Sequence, residues 1–306
     1  MSYINGFVSP DGSGVLLFPF HSCLKGLESK ILFRDEEDYE VYVKMIFICA
    51  KRTGVTVVMY GVVSNHSHEC ILSDTLERAR IFGEKLKVMY SKYYHNKYKE
   101  EGVLKRVKVT TLSIDTDWYL RNVLAYIIRN ALDNGAKNIS DYKWTGYRAL
   151  FRSGKIDGRT RKVRDLSKRD AERIMHTGEN LKNVPWLINE KNELEPASCC
   201  NWRLVEKIFN NDQAYLMRMI GQVNSSEMNE KLVDAPRTMR SDNEFLKNAS
   251  DICQRWFGEN PAKLSTEKKA RIIPYIYRTT HTTVSQLART FEIERERVEM
   301  FINGKR

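Results

Sequence analysis

Apolar positions in the first half of the chain recur with two periods, and each period predicts an element. Gly14 to Leu24 reads as a strand entered by a glycine-rich turn, with Pro19 marking an edge position or a bulge. Residues 35–52 open on Asp35, Glu36, Glu37 and Asp38, close on Lys51 and Arg52, and are followed by Gly54. That charge order and stop signal belong to a helix. Thr56 to Val63 and His66 to Ser73 are apolar runs split by Ser64-Asn65, a tight connection. Thr75 to about Lys97 carries Leu76, Ala79, Phe82, Leu86, Met89, Tyr90 and Tyr93 at helical spacing. Leu104 to Ile114 is a further strand. Asp115-Thr116-Asp117 then caps a third helix, Trp118 to about Leu132, ended by Asn134-Gly135.

The order strand, helix, strand, strand, helix, strand, helix predicts an α+β fold. It suits an antiparallel sheet with helices packed on one face, in the ferredoxin-like or split βαβ manner. Farther on, Cys200 to Val223 is expected to be helical, and Asn224 to Asp242 is a polar linker. Thr283 to Phe291, Glu292-Ile293 and Glu294 to Ile302 fit a helix-turn-helix, with Ala288, Ile293, Val298 and Ile302 where two crossing helices interlock. Glu292 stands where a turn glycine is usual. The second helix mixes Arg295 and Arg297 with Glu294, Glu296 and Glu299, which suits a major groove poorly. DNA contact and a packing or partner-binding role both stay open for this unit.

Composition narrows the class. The 306 residues are 42% hydrophobic and 29% charged, ordinary for a globular chain. No run approaches the length of a membrane helix, and the first residues lack the basic start and apolar core of a signal peptide. The six cysteines include no Cys-x-x-Cys pair, so a reduced, cytoplasmic (nucleoid-associated) protein is expected. The net charge of +11 makes nucleic acid the first partner to consider. Much of that excess is local: between Arg148 and Arg169 lie nine cations against only Asp157 and Asp165. The stretch is either a solvated linker or a strap that tracks phosphates.

The chemistry starts at Asn65-His66-Ser67-His68. Side chains at i and i+2 of a strand share a face, so His66 and His68 project together, roughly 6–7 Å apart at the backbone. Two such imidazoles can converge on one divalent cation. On the third helix Tyr126 and Asn130 are one turn apart on a common face. Asn130 offers a carbonyl oxygen as a third ligand for Mg²⁺ or Mn²⁺, and Tyr126 would lie beside a metal able to polarise a phosphodiester oxygen, a packing role for that one of fifteen tyrosines staying open. Tyr119, seven residues earlier, is the rival nucleophile. A zinc reading adds Cys70, but three ligands on one straight strand span about 13 Å, too far for one ion.

These residues carry a family resemblance. Asn65-His66-Ser67-His68 resembles the paired-histidine strand of the HUH endonucleases. Asp115 to Leu120 followed by Ala125-Tyr126-Ile127-Ile128-Arg129-Asn130 resembles the catalytic helix of REP-associated tyrosine transposases, relatives of the single-tyrosine insertion-sequence transposases. Phe20-His21, Ile31 to Asp35, Gly102 to Ile114 and Tyr142 to Tyr147 resemble further family segments, in order. The likeness covers roughly residues 14–150. It implies a metal-dependent single-strand endonuclease and strand transferase (a transposase). Tyr126 would be the nucleophile, leaving a 5′-phosphotyrosine and a free 3′-OH, and His66, His68 and Asn130 would hold Mg²⁺ or Mn²⁺. The implied partner is single-stranded DNA bearing a hairpin from a palindromic repeat, with monomer and homodimer both open. Arg106, Lys108, Arg148, Arg152, Arg159, Arg161, Lys162 and Arg164 are candidates for its phosphates.

The expected divisions are an HUH single-tyrosine transposase domain over 1–150, a basic connecting segment over 151–195, a helical region and linker over 196–260, and a helix-turn-helix-like unit over 261–306. Two residues depart from the family pattern. Ser67 replaces an apolar residue, which implies a less buried far face of that strand, and Ala131 replaces a frequent proline. Superfamily relatives with two tyrosines a turn apart fit less well, because Asn122 and Asn130 flank Tyr126 at that spacing. The rival function is a regulatory DNA-binding protein that keeps the HUH fold without catalysis.

Overall fold

In the computed structural model, residues 4–9, 13–25, 31–133, 136, 138–223, 242–279, 282 and 284–303 are described. The chain forms two compact units, Met1–Leu232 and Val233–Arg306.

The first unit is built on an antiparallel sheet. Its strands are β1 (Phe7–Val8), β2 (Leu16–Lys25), β3 (Thr56–Val63), β4 (His66–Ser73) and β5 (Lys108–Ser113). β4 lies between β2 and β3, while β1 and β5 pair with the beginning and end of β2. Ser64-Asn65 is the two-residue connection between β3 and β4, and Val63 faces His66 across it.

Local signals place the helices. Helix α1 (Glu36–Thr53) starts at Asp35, whose carboxylate accepts from the Asp38 N–H, and ends at Gly54 in the left-handed region (φ 70°). Helix α2 (Leu76–Tyr98) is capped by Thr75. The two helices are tied where Asp38, fully buried, accepts from the hydroxyls of Tyr93 (3.1 Å) and Tyr98 (2.6 Å) and pairs with Lys97 (2.9 Å). Helix α3 (Asp117–Asp133) begins where Thr116 Oγ1 accepts from the Tyr119 N–H at 3.2 Å. The expected stop at Asn134-Gly135 lies outside the described residues.

Helices cover both faces of the sheet, which corrects the one-faced packing expected from the sequence. Phe20, Leu24, Tyr60, Val62 and Ile71 pack with α1 and α2. Cys23, Met59, Cys70 and Leu72 on the other face pack with Leu120, Val123, Leu124 and Ile127 of α3. The physical reason is in β3 and β4, each buried at seven of its eight positions. A sheet apolar on both faces must be covered on both. Two glycines permit close approach. A Cβ on Gly61 would stand 2.8 Å from the Ile127 carbonyl oxygen of α3, and one on Gly83 of α2 would stand 2.6 Å from Val109 Cγ1.

The basic stretch is folded. β6 (Thr160–Lys162) pairs with β7 (Leu187–Asn189), and α4 (Lys168–Met175) lies between them in sequence. Val163, Leu166, Ile174, Met175, Trp186 and Ile188 join the α1–α2 core, so the apolar residues interleaved with the cations anchor the segment. After α5 (Pro196–Cys199), the helix expected over Cys200 to Val223 is two: α6 (Trp202–Ile208) and α7 (Gln213–Gln222). Asn210 and Asn211 between them both take φ 56°, a conformation asparagine tolerates and a helix cannot continue through. Both helices pack on α3, where Arg121 donates to the Ile208 carbonyl (3.1 Å) and Arg129 to that of Ile220 (3.0 Å).

Among the described residues, the second unit contains the helices Asp242–Phe257, Thr266–Thr279, Val284–Phe291 and Arg295–Ile302, with a 3₁₀ turn over Pro261–Lys263. Phe245, Ala249, Cys253, Ile272, Ile276, Leu287, Phe291 and Val298 form its core. Between the last two helices Glu292 sits at φ 51°, the left-handed conformation that explains why glycine is usual at such a turn. Lys269, largely buried, caps the third helix by donating to the Phe291 carbonyl at 2.8 Å.

Candidate active site

The pleat of β4 aims His66, His68 and Cys70 at the α3 face. Register places Gly61 of β3 and Cys23 of β2 opposite His68, and Lys25 opposite His66. Because Gly61 lets the α3 backbone approach, side chains one helical turn apart reach the histidines. Tyr126 OH is 3.3 Å from His68 Nε2, and Asn130 Oδ1 is 3.2 Å from His66 Nε2. All four predicted residues meet on one patch. Tyr119 lies with Asp115 and Cys70 instead, its phenol pushed up to about 12 by burial first and then by those two groups. The contact to His68 distinguishes Tyr126 from that rival.

Both imidazoles are also engaged at Nδ1. His66 Nδ1 meets Asn65 Oδ1 at 2.7 Å, and His68 Nδ1 meets His21 Nε2 at 3.1 Å. Asn130 donates its amide to the Tyr126 carbonyl (2.9 Å), which turns its Oδ1 to His66. His66 therefore faces carbonyl oxygens with both ring nitrogens, while a neutral imidazole can donate to only one. The second contact sets a nitrogen lone pair against an oxygen lone pair. A cation between them would remove that conflict, so His66, His68 and Asn130 could hold a divalent cation. Among the described residues no group of three His, Cys, Asp or Glu side chains is arranged to hold a metal. The set here is two nitrogens and an amide oxygen. Cys70 stays in the apolar layer, where burial pushes its thiol up to about 12.

The far face of β4 is buried, not open as Ser67 implied. Ser67 is 0% exposed and hydrogen-bonds Tyr42 OH (2.7 Å) and Glu69 (2.8 Å). Partners within the layer satisfy its hydroxyl.

Burial also sets protonation. Desolvation lowers His21 from 6.5 to about 3. It lowers His66 as well, and drives His68 well below its ordinary value with help from His66 and His21. Desolvation raises the Glu69 carboxyl from 4.5 to about 8. Each imidazole thus contributes stability that is complete above its unfolded value of 6.5 and lost as pH falls toward its folded value, because the unfolded chain takes the proton first. Glu69 has the opposite sign: its contribution is complete below 4.5 and lost as pH rises to about 8. The unfolding free energy should therefore peak near pH 6.5. Above the peak it should fall by about 1.4 kcal/mol per pH unit until Glu69 ionises. Urea unfolding across this range measures it, with Glu69→Gln expected to flatten the alkaline limb and spare the acid one. An acid limb that is flat would contradict the buried histidines.

The candidate phosphate contacts are dispersed. Lys108 is exposed on β5 and pairs across the sheet with Lys25, itself opposite His66, so a row of two lysines ends at the histidines. Lys25 escapes sequence reasoning because only register places it there. Arg106 lies in the 3₁₀ turn Leu104–Arg106. Arg152 pairs with Asp157, Arg164 with Asp165 (3.9 Å), and Arg161 bonds Asn192 at 2.5 Å. Lys162 is exposed on β6. Arg148 and Arg159 line an open surface cavity of about 390 Å³ together with Lys143, Asp157 and Glu193. Val163 and Leu166 bind the 160–175 part of the stretch to the α1–α2 layer, on the opposite side of the sheet from the imidazoles.

No protein-family model matches this sequence, and no curated protein matches it. Among solved structures, the chain is similar to one described as a REP-associated tyrosine transposase bound to a REP hairpin. That likeness has 15% identity and a TM-score of 0.33, and covers 48% of this chain and 81% of the other. No described helix is long and apolar enough to cross a membrane.

Proposed function

We propose that the protein nicks and rejoins single-stranded, hairpin-bearing DNA through Tyr126. One observation carries this reading: the side chains of His66, His68, Tyr126 and Asn130, drawn from a strand and a helix some sixty residues apart, meet in one patch. In the reaction the Tyr126 oxygen forms a bond to phosphorus as the bond from phosphorus to the 3′ oxygen breaks. The phenolic proton is lost, the departing 3′ oxygen gains one, and a 5′-phosphotyrosine remains for the reverse transfer. Asn130 and the two histidines would hold Mg²⁺ or Mn²⁺, which when bound polarises a phosphodiester oxygen. Lys25 and Lys108 would seat the neighbouring phosphates. On this reading the sheet is the ferredoxin-like core of an HUH nuclease, and the last two helices are a helix-turn-helix.

A second reading is favoured by burial. Tyr126 and His68 are each 1% exposed, so a substrate phosphate reaches the hydroxyl only if the covering side chains move. A regulator that binds DNA and never cleaves it would have no need of such movement. The two readings separate in one assay, incubation of the full chain with hairpin-bearing oligonucleotides in Mn²⁺ and in chelator. The nuclease reading expects a metal-dependent, denaturation-resistant protein–DNA adduct and a released strand with a 3′-OH. Binding with no adduct in either condition would hand the function to the regulator.

A further inference from the structure

We propose that His21 is a positioning residue, accepting a hydrogen bond from Nδ1–H of His68 and so keeping His68 Nε2 as a bare lone pair turned toward Tyr126. The geometry is direct. His21 Nε2 lies 3.1 Å from His68 Nδ1, while the Tyr126 hydroxyl is 3.3 Å from the other ring nitrogen, Nε2, and the His21 and Tyr126 rings meet edge to face with centroids 6.3 Å apart. His21 therefore meets the His68 nitrogen that Tyr126 does not. Register brings the two imidazoles together: His21 pairs with Cys70 and Cys23 with His68, so His21 is the diagonal neighbour of His68 on the same face.

A neutral imidazole has one donor nitrogen and one acceptor nitrogen, and the partner of the first decides the role of the second. If His68 instead carried its proton on Nε2, that nitrogen would have no lone pair for a cation. His21 selects the useful tautomer only by being an acceptor at that spot. Its cost is visible. His21 is 0% exposed, and its own Nδ1 is one of the two buried side-chain atoms without a hydrogen-bond partner among the described residues. A leucine would fill the same space without stranding a polar atom, so packing alone does not account for a histidine.

The consequence for metal affinity rests on the function proposed above, while the hydrogen bond does not, and the test keeps them apart. Long-range ¹H–¹⁵N spectra of the imidazoles in the metal-free, full-length protein should show His68 as the Nδ1–H tautomer, and Nε2–H would overturn the proposal. Mn²⁺ titration followed by electron paramagnetic resonance should then find His21→Leu weakened roughly 10–100-fold. His21→Gln, which offers an amide oxygen near the same place, should recover most of that loss. Wild-type affinity in His21→Leu, or equal loss in both variants, would also overturn it. Should the wild type take up no Mn²⁺, the nuclease reading fails, and the tautomer of His68 still decides the role of His21.

Discussion

Tyr126→Phe is expected to abolish the protein–DNA adduct and to lower strand cleavage by on the order of 10⁴-fold or more, as removal of a nucleophile does. The substitution deletes one oxygen and leaves the ring within its buried apolar cluster. The lost hydrogen bond to His68 should cost only about 1 kcal/mol of stability. Hairpin binding should persist, since the candidate phosphate contacts lie elsewhere. Tyr119→Phe is the matched control, on the same helix and partly buried, and should keep adduct formation. An adduct of undiminished yield in Tyr126→Phe would remove the nucleophile from this account. Loss in both variants would point to α3 as a packing element.

Gly61→Val should lower adduct formation on the order of 10²-fold without touching any chemical group, the scale expected for a misplacement of about 1 Å. Gly61 stands opposite His68 on β3. A Cβ there would lie 2.8 Å from the Ile127 carbonyl oxygen and 3.3 Å from Ile127 Cγ2. The obstructing atom is backbone, so the strand and α3 must separate. Ile127 lies between Tyr126 and Asn130, and both leave their histidine partners together. Overpacking of this kind costs about 1–3 kcal/mol, measurable by urea unfolding. Gly83→Ala supplies the comparison. Its Cβ would press on Val109 Cγ1 at 2.6 Å from the other face of the sheet, so it should destabilise the fold and leave Tyr126 against His68. Equal activity losses in the two variants at matched stability would show that alignment of α3 is not what Gly61 protects.

Much of this was legible because it is local. Asp35 and Gly54 bound α1, Thr75 and Thr116 start the next two helices, and Ser64-Asn65 joins β3 to β4, each through bonds that span a few residues. The period of two placed His66 and His68 on one face, and a helical turn placed Tyr126 with Asn130. The helix break at Asn210-Asn211 is not legible in the sequence, because apolar periodicity runs on either side of it and only the backbone angles reveal the stop. The folded state of the basic stretch is not legible in the sequence either, because nine cations mask Val163 and Leu166, which hold it to the core.

The sequence by itself determined the order of the main strands and helices from β2 to α3, their caps, and which residue types could do the chemistry, because periodicity and capping act within a turn or a pleat. Tertiary structure alone decided that α3 lies on the histidine face, that Tyr126 and not Tyr119 meets His68, and that His21 and Lys25 stand beside the pair. Those facts depend on strand register and on the closeness of two backbones at Gly61. Register is settled by the packing of whole faces against each other, and no stretch of sequence as short as a motif contains that information.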